Sequence, residues 1–182
     1  MITIEQLVSN AVFTHSQYVS QISKIIARQA GYPEDEIIII GQAALLHDVG
    51  KSDVPFSILN KPGALTPDEY DIVKKHAENG YQQIMETIKI LMIAASVAKE
   101  HHERLDGSGY FSISGENINP YARLISVADV FDALISRRVY KESWDVENVI
   151  QYLTQNEQHF DNIIVGHLIC VINEVLLTYE NT

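Results

Sequence analysis

Along most of this chain the apolar and polar positions follow a helical rather than a two-residue period, and strand-like alternation is almost absent. The pattern predicts helices near 3–29, 34–47, 67–77, 81–101, 119–136, 146–155 and 161–179, with Gly31, Gly50 and Gly80 as stops. One start is sharply written. Thr66 as N-cap, Pro67 at the first helical position and Glu69 at N3 form a capping box, so a helix begins there and should carry His76. The apolar stretch 163–177 is interrupted by His167, Asn173 and Glu174, too short and too polar for a bilayer span, and reads as a C-terminal core helix. Segments 50–66 and 104–119 remain as long loops, the places where a site is expected. No repeat or low-complexity stretch is visible, so the fold class expected is all-α.

Composition narrows the picture. The 182 residues suit a single domain over 1–182, able to bury about two thirds of its extended surface. A formal net charge of −11 disfavours a DNA or RNA polymer as partner, because such binding depends on many cationic phosphate contacts. Glu34, Asp35 and Glu36 after Pro33 read as the acidic first turn of a helix. The N-terminus carries Glu5 and no basic region, unlike a signal peptide, and the lone Cys170 lies in an apolar segment with no disulfide partner. A cytoplasmic protein with no membrane partner is expected, with Cys170 a small core residue.

The chemistry lies in the order of the ligand-type residues. His15, His47-Asp48, His76, His101-His102 and Asp129 are spaced by roughly 25 to 30 residues, about one helix plus a loop each. Each can therefore come from a different helix and point inward, as in di-metal centres of helical bundles. Adjacent residues diverge by about 100° on a helix, so the two doublets suit two neighbouring ions better than one. Any one of these histidines alone would more often be a hydrogen-bonded structural residue; together they point to a metal site. Asp129 stands in an otherwise apolar helix, where an unpaired carboxylate is costly, and reads as a ligand, with Asp132 as a structural acid. Gly50, able to adopt a positive φ, is followed by Lys51, placed to neutralise a phosphate oxygen or to complement a helix end.

Five strings in this order, HDVGK at 47–51, ILNKPGALTPDE at 58–69, HAENG at 76–80, HHERLDGSGY at 101–110 and ADVFDALISRRVYK at 128–141, resemble the HD-GYP domains. These are a branch of the HD phosphohydrolase superfamily that degrades cyclic di-GMP in bacteria, and the likeness spans nearly the whole chain. It implies an HD-domain bundle of about seven helices around the site. By resemblance, His15, His47, Asp48 and Asp129 hold one metal and Asp48, His76, His101 and His102 a second, bridged by Asp48. Lys51 would face the scissile phosphate, Arg138 and Lys141 would grip the substrate's phosphates, and Tyr110 is the tyrosine of the GYP signature. Arg137 receives no role. Phe111 replaces the signature proline, and Val139 stands where a proline usually follows the arginine, which bears on loop stiffness and substrate contacts. Ala11 takes the place of the glutamate found in three-metal members, so two metals are expected, iron by family tendency or manganese.

The reaction so implied is phosphodiester hydrolysis, a metal-bridging hydroxide attacking phosphorus in line, with cyclic di-GMP hydrolysed to pGpG and/or GMP. Asp48 and Lys51 would carry the catalysis. No receiver, sensor or membrane segment is evident, so regulation is expected from a partner chain in trans or from expression. Two other readings stay open: a cyclic-dinucleotide-binding module with weak or no turnover, motivated by Phe111 and Val139, and an HD phosphohydrolase acting on another cyclic nucleotide.

Overall fold

The computed structural model describes residues 10–87, 92–136 and 143–180. Helices follow in the order α1 (Asn10–Gln29), α2 (Glu34–Leu46), a 3-10 turn (Val49–Asp53), α3 (Phe56–Leu59), α4 (Pro67–Lys74) and α5 (His76–Thr87). After these come α6 (Met92–Glu100), a 3-10 turn (Gly115–Asn117), α7 (Pro120–Ile135), α8 (Val146–Gln155), α9 (Asn162–Cys170) and α10 (Ile172–Glu180). No strand occurs among the described residues, and the all-α expectation holds.

Helix α1 packs against α2 and α7, α2 against α6, and α5 against α6 and the first 3-10 turn. Their shared interior holds Val19, Ile22 and Ile26 of α1, Ile40 of α2, Val97 of α6 and Leu124, Ile125 and Phe131 of α7, all fully buried. Burying a side chain of this size contributes about 1.5–3 kcal/mol each. Four helix segments thus share one core, and the polar cluster described below lies at its edge.

The local signals that the sequence carries are realised where their partners are close in sequence. Glu69 N–H donates to Thr66 Oγ1 at 3.3 Å and Thr66 N–H to Glu69 Oε2 at 2.7 Å, closing the capping box of α4. Gly31, at φ 81°, ends α1 with a Schellman pair, Tyr32 N–H to the Ala27 carbonyl and Gly31 N–H to the Arg28 carbonyl, both 3.1 Å. Asn119 and Asp161 cap α7 and α9 through the backbone N–H groups of Tyr121 and Ile163.

Five expectations need correction. Helix α4 stops at Lys74, so His76 is the first residue of the next helix, and Gly80 lies inside that helix instead of ending it. The reason is contact: a Cβ on Gly50 would sit 2.0 Å from the His76 carbonyl oxygen and 2.4 Å from Gly80 N, so backbone meets backbone there. Gly50 is not among the positive-φ glycines, and its missing side chain serves this approach and not a left-handed turn. The C-terminal helix breaks at Val171, and α9 and α10 meet at 63°, so no single helix among the described residues is long and apolar enough to cross a membrane. Cys170 ends α9 exposed to solvent, because its position on the helix faces away from the core. The predicted start of the first helix before residue 10 lies outside the described residues.

Gly50→Ala is expected to destabilise the protein by about 3 kcal/mol, the upper end of overpacking costs, because backbone atoms and not a flexible side chain must move. Gly166→Ala in α9, where a Cβ meets nothing within 4 Å, is expected to gain about 0.5–1 kcal/mol from helix propensity alone. Thermal and urea melts of both variants decide this; equal effects at the two glycines would show the Gly50 contact to be unimportant.

Candidate metal centre

Seven side chains from six places in the chain converge. His15 comes from the second turn of α1, His47 from the end of α2, Asp48 from the residue leading into the 3-10 turn and His76 from the start of α5. His101 and His102 follow α6, and Asp129 projects from the middle of α7. One donor atom each from Asp48, His76, His101 and His102, and one each from His15, His47 and Asp129, lie within 4.8 Å of one another in two sets. Asp48 stands between them: its Oδ1 is 3.3 Å from His76 Nε2 and 3.8 Å from His101 Nε2, while its Oδ2 is 3.4 Å from His47 Nε2 and 3.9 Å from His15 Nε2.

The rings are aimed by their backs. His47 Nδ1–H donates to the Ala44 carbonyl at 2.6 Å, His76 Nδ1–H to the Val73 carbonyl at 2.7 Å, and His101 Nδ1–H to the Ala98 carbonyl at 3.0 Å. With Nδ1 engaged by these carbonyls, each ring turns its Nε2 inward. His47 Nε2, His76 Nε2, His101 Nε2 and Asp48 Oδ1 are all buried and lack a hydrogen-bond partner. Buried polar atoms are rarely left so, and four of them converging on one space are what a divalent ion with nitrogen and oxygen ligands satisfies. The donor set fits such an ion.

Charge supports the same reading. Burial and the neighbouring His102 and His47 push His101 well below the usual imidazole range, and burial, with His76, brings His102 down to about 3, so both are neutral. Burial works against ionisation of Asp48, but Lys51, His47 and His76 outweigh it and hold that carboxyl well below its usual value. Asp129 is likewise held low against its burial by His15 and His47. His15 differs: burial favours its neutral form, yet Asp129 and Asp132 raise it to about 9. Its Nε2–H donates to Asp129 Oδ1 at 3.0 Å and its Nδ1–H to Asp132 Oδ2. Ion binding at Nε2 therefore competes with a proton.

Around the cluster, Lys51 Nζ donates to Asp48 Oδ2 at 2.5 Å and remains partly open to solvent. Tyr110 lies half-buried against the His102 ring, centroids 4.7 Å apart, with His76 and Tyr70 each at 6.2 Å. Arg138 and Lys141, with Arg137 and Val139, lie outside the described residues, as does the side chain of Ala11.

Several contributors carry no signal in the sequence that singles them out. Lys74, the last residue of α4, places Nζ 5.4 Å from the Tyr110 ring centroid and so brings a further cation to the rim. Glu103, buried, accepts Phe111 N–H at 2.8 Å and Ile113 N–H at 2.7 Å, pinning the loop that holds Tyr110. A proline at 111 would lack that N–H; Phe111 supplies it, so the departure from the signature gains a tether in place of ring stiffness. Gly109 permits the approach, since a Cβ there would lie 2.4 Å from Glu103 Cα. Asp132, read from the sequence as a structural acid, backs His15.

Fold and donors together define a helical domain built to bind divalent metal. The family model described as HD domain matches residues 2–164, and the chain belongs to that family. It is 43% identical over 154 residues to the cyclic di-GMP phosphodiesterase response regulator RpfG of Xanthomonas campestris pv. campestris, covering 83% of this chain and 41% of that protein. To the 3'3'-cGAMP-specific phosphodiesterase 2 of Vibrio cholerae it is 39% identical over 158 residues, covering 85% of this chain and 30% of the relative. The chain thus spans less than half the length of these curated relatives. A HDG"Y"P protein from Bdellovibrio bacteriovorus superposes with a TM-score of 0.76 at 20% identity, covering 94% of this chain and 58% of that one, and shares the fold. The HD-GYP resemblance read from the motifs stands.

Glu103→Gln should leave one of the two loop N–H groups facing an amide donor. The Phe111 and Ile113 amides are then expected to lose about 1–3 kcal/mol of hydrogen-exchange protection, while α7 is unchanged. Unaltered protection at both amides would remove Glu103 as the loop's anchor.

Proposed function

We propose that this chain is a metal-dependent phosphodiesterase hydrolysing a cyclic dinucleotide, with cyclic di-GMP as substrate and pGpG and/or GMP as product. The observation that carries the proposal is the convergence of four orphaned, buried donor atoms beside two ionised carboxylates and a lysine. Two divalent transition-metal ions, iron or manganese, held by His15, His47, Asp48 and Asp129 and by Asp48, His76, His101 and His102, would supply Lewis-acid charge for attack on phosphorus.

The remaining work falls to the chain's own groups. Asp48 presents one oxygen to each donor set and so ties them into one centre. Lys51, a salt-bridge length from Asp48 and open on one side, is placed to meet a non-bridging phosphate oxygen and to stabilise charge as it builds there. Tyr110 forms a flat wall over His102 against which a base or ribose can lie, and its hydroxyl stays protonated because burial and Tyr70 raise its pKa. Lys74, with Arg138 and Lys141, would hold the phosphate that is not cut. The tether from Glu103 to Phe111 keeps Tyr110 in place without the signature proline, which favours turnover over a merely binding module. Relatives named for cyclic di-GMP and for 3'3'-cGAMP match this chain at 43% and 39% identity, so a mixed cyclic dinucleotide is the second substrate reading.

Incubating metal-loaded protein with a panel of cyclic dinucleotides and resolving products by chromatography tests the proposal. Cyclic di-GMP is expected to be opened fastest; faster cleavage of 3'3'-cGAMP would reassign the substrate, and binding without any product would leave the module reading. Asp48→Ala is expected to abolish hydrolysis and lose metal, whereas Lys51→Ala should keep its metal and lower kcat. An unchanged kcat in Lys51→Ala would end the charge-stabilising role. Lys74→Ala, Arg138→Ala and Lys141→Ala are each expected to lower kcat/KM by roughly tenfold to a hundredfold, mainly through KM, as loss of a charge-assisted contact worth about 1.5–3 kcal/mol implies.

A further inference from the structure

The two donor sets are supported in different ways. His47, His76 and His101 are aimed by carbonyls three residues back in their own chain segments, so their orientation is a local matter. His15 is instead backed by Asp132, itself almost fully buried and 117 residues away. The other Asp132 oxygen accepts the Tyr179 hydroxyl at 2.7 Å and the Ser136 hydroxyl at 3.0 Å. Tyr179 belongs to α10, the helix beyond the 63° break, and its ring stacks on Tyr18, centroids 4.6 Å apart and planes within 15°. Tyr18 lies one helical turn past His15 on α1, so the ring stack holds α10 to the segment that carries His15 while the hydrogen bond holds it to Asp132 of α7.

We propose that Tyr179 is a positioning residue for the set His15, His47 and Asp129, and that it makes the two sets unequal: ion binding there depends on α10 being docked, and ion binding by Asp48, His76, His101 and His102 does not. The inference rests on the two-ion reading above. Its physical basis is the chain Tyr179 O–H to Asp132 carboxylate to His15 Nδ1–H, which keeps the proton on Nδ1 and fixes the ring's angle about χ2. Such outer partners of a ligating histidine are worth about tenfold to a hundredfold in metal affinity. The hydrogen bond and the ring stack made by Tyr179 of α10 both reach the side of the centre that carries His15.

Tyr179→Phe tests this because the ring stack on Tyr18 is kept and one hydroxyl is lost. Metal-free full-length wild type and variant are titrated with Mn²⁺ and Co²⁺ against a chromophoric chelator, with the Co²⁺ d–d spectrum recorded at one and two equivalents. One dissociation constant is expected to rise about tenfold to a hundredfold with the other unchanged, and the spectral component of one set should disappear at limiting Co²⁺. Ser136→Ala, which removes the other donor to the same Asp132 oxygen, should weaken the same ion in the same direction. Weakening of both ions alike, or of neither, would overturn the role of Tyr179 and leave the proposed function standing. A wild-type protein that binds a single ion would overturn the two-ion reading and this inference with it, and that result is read before any variant is made.

Discussion

Much of this structure is organised by one electrostatic constraint: two ionised carboxylates and three imidazoles with inward-facing Nε2 atoms are buried at the edge of an apolar core. Left alone, such a cluster is unfavourable, since each buried donor or acceptor without a partner costs on the order of 1–3 kcal/mol and each unpaired charge more. Part of that cost is offset inside the protein, where Lys51 meets Asp48 and protonated His15 bridges Asp129 and Asp132. His47, His76 and His101 Nε2 keep no hydrogen-bond partner. A site with that much unmet polarity is stabilised by a bound cation, which couples metal affinity to folding. The local Nδ1-to-carbonyl bonds matter because they hold the rings in this arrangement in advance, so that little reorganisation remains when an ion arrives.

The glycines and the Glu103 carboxylate show how the chain brings irregular segments close enough to that cluster. Gly50 lets the turn after Asp48 lie against the backbone of the first turn of α5, which sets the distance from Asp48 to His76. Gly109 does the same for the loop after His102, where Glu103 binds the backbone of residues 111 and 113. Both contacts are backbone to backbone or backbone to buried carboxylate, so small changes in side-chain size there would be transmitted to ligand positions. A loop held this way presents Tyr110 beside Lys74 of α4, an aromatic face next to a cation at one rim.

The chain's acidic character and its proposed substrate are compatible for the same reason. The net charge of −11 is a property of the whole surface, whereas the field at the site is set by the few groups inside a Debye length of about 8 Å. There, Lys51 and Lys74 flank the cluster, and bound cations would add to them. A small polyanion would be drawn to the site by short-range contacts, whereas a long polynucleotide would meet repulsion from the rest of the surface.

Amino-acid order alone determined those features whose physics is local or compositional. The all-α class, the capping box at Thr66 and Glu69, the Gly31 stop and the recurrence of imidazoles and carboxylates at helix-plus-loop spacing follow from neighbours a few residues apart. Tertiary structure decided the rest. Gly80 looked like a stop because glycine is a poor helix former, but contact with Gly50 sets its role; Cys170 sits in apolar sequence, yet the helix face it occupies is open to solvent. The break at Val171, the Lys74 cation over Tyr110 and the reach of Tyr179 to Asp132 depend on how separate segments pack, and a hydrogen bond between residues 47 positions apart leaves no periodic trace in the chain. Local propensity selects elements; which side chains meet across them is settled only by packing.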